Sequence, residues 1–124
     1  MKTNQIRIII DAPAQSVFEF TVEPQNTPKW IDGVDDEQVN TDQIDLGTIY
    51  SNSYGDLEVT DYERNKFFEL TNQETGYVCS YSYRAVDEEQ TELTYFEYMT
   101  DGSELDEPMD EKNFETLQAL LTNK

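Results

Sequence analysis

The chain has 124 residues, and its 27 acidic side chains against 8 basic ones leave a net charge near −19. That balance excludes nucleic acid and anionic membrane surfaces as partners, since both need clustered Lys and Arg. The absence of histidine and a single cysteine, Cys79, exclude His-based triads, zinc sites of the usual kind and internal disulfides.

The length predicts one domain, residues 1–124, with one core. No apolar run approaches the roughly 18 residues of a membrane span. The opening MKTNQIRIIIDAP has neither the apolar stretch nor the cleavage site of a signal peptide. A cytoplasmic protein is therefore expected, and the lone cysteine fits a reducing compartment.

Gln5 to Ile10 reads as a first strand with Ile6, Ile8 and Ile10 on one face. Pro13 suits a first helical position, and Ala14 to Thr21 then forms a short helix burying Val17 and Phe20. Pro24 opens another turn, which Pro28 is expected to interrupt before Gly33 ends it. Strand-like runs follow at Val39 and its neighbours, Gly47–Tyr54, Leu57–Tyr62, Phe67–Thr71, Tyr77–Ala85 and Thr91–Met99, separated by polar turn clusters. A helix from about Pro108 to Thr122 closes the chain. Asp110 and Glu111 suit its N-terminus, and Phe114, Leu117 and Leu121 form its apolar stripe. The order predicts an α+β fold of about six to seven antiparallel strands with helices packed on one face.

Turn chemistry gives a register. With Gly55-Asp56 as a two-residue hairpin loop, Tyr54 pairs with Leu57 and Tyr50 with Asp61. The next hairpins pair Val59 with Leu70, Leu70 with Cys79 and Phe68 with Tyr81. Directly opposed residues share a face. The inner face then holds Tyr50, Asn52, Tyr54, Leu57, Val59, Phe68, Leu70, Cys79, Tyr81 and Tyr83. The last strand adds Leu93, Tyr95, Glu97 and Met99 if its loop has odd length, or Thr94, Phe96 and Tyr98 after a one-residue slip. The first set is preferred because Leu93 matches Tyr83. An inner face this rich in tyrosine must satisfy several hydroxyls, either as a wet core or as a polar-lined pocket. Its inward carboxylates, Asp61 and Glu97, are the only candidates for acid/base work. The acidic stretches DGVDDEQ from Asp32 and DGSELDEPMDE from Asp101 miss the EF-hand spacing and read as solvated loops. No metal site and no cofactor is expected.

The stretch IRIIIDAPAQSVFEFTVEPQNTPKW carries a resemblance. A strand, an "aPaeeVfef" helix and a "dpenlprW" turn open the START-like (SRPBCC) superfamily, particularly its polyketide cyclase/dehydrase-like branch. Ala12-Pro13, Val17-Phe18, Glu23-Pro24, Asn26 and Pro28-Lys29-Trp30 occupy those positions. Gln90-Thr91-Glu92-Leu93-Thr94 is similar to the family's "gTeLt" entry to the last strand, with Gln90 in place of Gly. The closing helix, Asn113 to Leu121, is similar too.

The resemblance implies a helix-grip fold, a curved sheet around a long C-terminal helix with two short helices at one end. It also implies a cavity between sheet and helix. Members include ligand carriers, cyclases and chaperone activators, so fold alone does not choose a function. The expectation is a small apolar or aromatic ligand bound by Trp30, Tyr50, Asn52, Tyr54, Phe68, Tyr81, Tyr83 and Tyr95, with Phe114 and Leu117 as the helix wall. Trp30 reads equally as a core plug. The alternatives are an interaction domain of the chaperone-activator kind and a cyclase or dehydratase. A monomer or homodimer fits each.

Overall fold

The computed structural model describes residues 1–122, so the last two residues of the expected 1–124 domain lie outside the described residues. Seven strands form one antiparallel sheet: β1 (Thr3–Ile10), β2 (Gln38–Val39), β3 (Ile49–Asn52), β4 (Gly55–Glu63), β5 (Phe67–Thr71), β6 (Tyr77–Ala85) and β7 (Thr91–Met99). Their order, β1-β7-β6-β5-β4-β3-β2, is a meander whose first strand returns to the edge beside the last. The helices are α1 (Ala14–Val22), α2 (Thr27–Trp30) and α3 (Glu111–Thr122), with a 3-10 turn at Pro24–Asn26. This is the expected α+β helix-grip arrangement. No helix among the described residues is long and apolar enough to cross a membrane.

The prolines act slightly differently from their sequence reading. Pro13 is the N-cap of α1 with an extended ψ of 152°, one place before the expected first helical position. Pro28 does not interrupt a helix. It stands in the first turn of α2, where its missing N–H would be unpaired anyway. The closing helix begins at Glu111 rather than near Pro108, because the Asp110 carboxylate accepts the Lys112 N–H at 2.9 Å and caps it there.

The apolar pattern then decides what each helix buries. Val17 and Phe18 of α1 are buried, while Phe20 is only half-buried. Phe18 meets Tyr62, Phe68 and Tyr83 edge-on, with ring centroids 5.5, 6.5 and 5.2 Å away. Each such pair contributes about 0.5–1.5 kcal/mol beyond its buried area. Phe114, Leu117 and Leu121 of α3 are buried as their spacing predicts. Phe114 lies 5.1 Å from the Trp30 ring and 5.1 Å from that of Tyr95, so it joins α2, α3 and the sheet.

Two hairpins differ from the expected register. Asn52 pairs with Gly55 and Tyr50 with Leu57, so the turn is Ser53-Tyr54 and Gly55 opens β4. The Asn52 side chain accepts the Tyr54 N–H at 2.8 Å, which starts the turn early. Gly55 supplies a φ of 118° after the turn rather than within it. In β4 the pairing of Val59 with Leu70 holds, but a bulge before Asp61 puts Asp61 opposite Glu69. Tyr62 takes the inward place opposite Phe68, and Asp61 is exposed. The remaining register agrees: Leu70 with Cys79, Phe68 with Tyr81 and Tyr83 with Leu93.

The early turn places Tyr54 in solvent, 55% exposed, and gives it another task. Its hydroxyl donates to the Asp32 carbonyl at 3.2 Å, and Ser53 Oγ donates to the Gly33 carbonyl at 2.7 Å. Gly33 has a φ of 86°, and a Cβ there would stand 2.2 Å from the Tyr54 hydroxyl. Gly33→Ala should therefore lower stability by about 1–2 kcal/mol through left-handed strain and loss of this clasp. Urea unfolding measures it, and an unchanged midpoint would contradict the close approach.

Candidate ligand-binding cavity

The inner face of β3–β7, the α2 segment and the loop before α3 enclose a cavity of about 550 Å³. Its wall combines aromatic rings with a few polar groups. Trp30, Tyr50, Asn52, Tyr54, Phe68, Tyr81 and Tyr95 all line it, as do Tyr77 and Cys79. Three residues expected on the wall do not reach it. Tyr83 is buried under α1, its hydroxyl 2.6 Å from Thr21 Oγ1. Phe114 and Leu117 pack behind the wall. Tyr54 touches only the mouth, because its hairpin turns two residues early.

Most tyrosine hydroxyls are already paired. Tyr50 donates to the Val22 carbonyl at 2.6 Å. Tyr77 and Tyr95 lie 2.8 Å apart and both bond Glu97 Oε1, at 2.5 and 3.0 Å. Glu97 is 1% exposed, and its other oxygen accepts Asn4 Nδ2 at 2.7 Å and the Met109 N–H at 2.6 Å. Four donors from β1, β6, β7 and the loop before α3 thus meet on one carboxylate. Burial drives the phenols of Tyr77, Tyr81 and Tyr95 well above their ordinary ionisation range. It also lifts the Cys79 thiol to about 12, with the Glu97 charge adding to the effect.

A second carboxylate stands on the wall, Glu37 of the DGVDDEQ stretch, which reads in sequence as a solvated loop. Glu37 is 9% exposed. Thr27 Oγ1 donates to one of its oxygens at 2.6 Å, and Asn52 Nδ2 donates to the other at 2.7 Å. Burial raises its pKa above the ordinary 4.5, opposed by those two hydrogen bonds. Among the described residues no lysine or arginine lines the cavity. One donor on the wall has no acceptor: Trp30 Nε1 is unpartnered among the described residues, in a side chain 3% exposed. The Tyr81 hydroxyl, also on the wall, makes no hydrogen bond among the described residues.

The acid/base candidates separate. Asp61 faces solvent because of the β4 bulge. Glu97 faces inward as expected, with its lone pairs committed to four donors. Among the described residues no group of three or more His, Cys, Asp or Glu converges as a metal site requires. Tyr77 was not among the expected wall residues, though it shares the alternation of Cys79 and Tyr81, and that period-two pattern is the signal that could have placed it inside. Glu37 sits in an irregular segment before β2, where no periodicity applies.

No family model and no curated protein matches the sequence. Solved structures do share the fold. The protein XoxI from Bacillus cereus aligns with a TM-score of 0.73 at 8% identity, over 99% of this chain and 97% of that one. The Aha1 dimer from Colwellia psychrerythraea aligns with a TM-score of 0.71 at 18% identity, over 99% and 98%. An HSP90 activator from Plasmodium falciparum gives 0.66 at 14% identity, over 79% and 73%. At such identities the likeness establishes the helix-grip fold.

Glu37 gives this site a pH signature. Its folded pKa is raised, so the folded state holds its proton above the pH at which the unfolded chain releases it. Stability contributed by this group therefore falls as pH rises from about 4.5 through the folded value. Glu37→Gln removes that slope and should gain stability relative to the unsubstituted protein between about pH 4 and pH 8. Urea unfolding at constant ionic strength reads the difference; a difference independent of pH would mean that Glu37 is solvated.

Proposed function

We propose that this protein is a START-like binding domain that takes a small apolar or aromatic molecule in the cavity between the sheet, α2 and the loop before α3. The observation that carries the reading is a 550 Å³ space whose wall combines aromatic rings with a few polar groups. Ligand sites of about 300–1,000 Å³ with apolar walls and a few convergent polar groups are the usual form of small-molecule pocket. The paired hydroxyls of Tyr50, Tyr77 and Tyr95 hold the rings in place, leaving Tyr81 to orient a guest. The sequence resemblance to the polyketide cyclase-like branch supports a cavity-building domain, and the saturated Glu97 favours binding over turnover.

N-Phenyl-1-naphthylamine, a neutral aromatic probe, should bind saturably, brighten and quench the emission of Trp30, the sole tryptophan. Leu57 stands half-buried on the wall, and Leu57→Trp should fill space there and weaken probe binding by about tenfold or more. Probe emission unchanged by the protein would sink the binding reading.

A second reading is an interaction domain of the chaperone-activator kind, supported by the fold shared with an HSP90 activator and by the charge near −19. Such docking would use the acidic surface, so the host's HSP90 should co-elute at low ionic strength and separate in about 0.5 M NaCl. No co-elution at low salt would remove it.

A further inference from the structure

We propose that the cavity's ligand is a cation, an ammonium group carried on an apolar or aromatic body, with its charge set against Glu37. This rests on the binding reading above and names the ligand class. Glu37 is a buried carboxylate with neutral partners only, the Thr27 hydroxyl and the Asn52 amide. None of the protein's ion pairs among the described residues reaches it. A buried carboxylate is expensive to hold unless a positive charge compensates it. Among the described residues nothing on the wall supplies one, since none of those lining it is Lys or Arg, and the chain has no histidine. The missing charge is therefore expected from the guest.

The surroundings of Glu37 suit an ammonium group. The Tyr50 and Tyr81 rings line the same cavity as Glu37. Trp30 follows Thr27, the Glu37 partner, by three positions on α2. Ring faces of this kind attract cations, most strongly where water is excluded. Trp30 stands on the same wall, its indole Nε1 sealed from solvent and without an acceptor among the described residues. At the mouth, Asp32, Asp106, Glu107 and Asp110 add negative charge, which draws cations in and turns carboxylate-bearing lipids away. Glu97 contributes less, because four donors already share its charge.

Isothermal titration of three naphthalenes separates charge from shape: 1-naphthylmethylammonium, 1-naphthalenemethanol and 1-naphthoate, in about 0.5 M NaCl to screen surface attraction. The ammonium compound should bind about tenfold more tightly than the alcohol, and the naphthoate more weakly than either. In Glu37→Gln the ammonium and alcohol affinities should converge to within about twofold, with the alcohol unchanged. Equal binding of ammonium and alcohol overturns the proposal while leaving the cavity reading intact, as does a preference that survives Glu37→Gln. If no naphthalene binds and N-phenyl-1-naphthylamine also fails, both readings fall. Should the variant unfold, the ranking of the three compounds on the unsubstituted protein decides.

Discussion

The architecture converges on one buried carboxylate. Glu97 lies in β7, yet its oxygens are held by Asn4 of β1, Tyr77 of β6, Tyr95 of its own strand and the Met109 N–H ahead of α3. An ionised group sealed from water is tolerable only when its lone pairs are filled. Those requirements tie the edge strand, the sheet centre and the approach to α3 to a single point. With the approach fixed, Phe114 is delivered against Trp30 and Tyr95. The space between the sheet, α2 and the loop before α3 then persists, because the elements bounding it cannot close independently.

The tyrosine-rich interior follows the same logic. A leucine face could collapse onto α3, whereas phenols must find partners before they can be buried. Tyr50 reaches the end of α1, Tyr83 reaches Thr21, and Tyr77 and Tyr95 share Glu97. Each bond holds a ring at a fixed distance from its neighbours. The wall is consequently stiff where it is aromatic, and its unmet polar capacity concentrates at Trp30 and Tyr81.

Much of this was legible in the residues. The period-two pattern in β5 and β6 has one buried face, so a slip would expose Phe68 and Tyr81 together; β7 allowed two registers, and the structure has the one that pairs Leu93 with Tyr83. The prolines and Trp30 marked the two short helices. Two local devices escaped the pattern. The Asn52 side chain moved a turn, taking Tyr54 into solvent, and an inserted residue in β4 exchanged Asp61 for Tyr62. Neither leaves a trace in hydrophobic spacing, because a turn side chain and a bulge act on the backbone. Glu37 was hidden for another reason. Its burial depends on contacts with Thr27 and Asn52, ten and fifteen residues away, and on no helical or strand period.

The buried thiol has a kinetic consequence. Cys79 sits on the cavity wall, 4% exposed, with its ionisation pushed to about 12. Thiolate is the reacting species, so at neutral pH this sulfur is nearly inert to alkylating reagents and oxidants. What reactivity it has must pass through the same space that a guest would occupy. Its slow modification is thus a clock for how often that interior stands open, and any occupant would stop the clock without touching the fold.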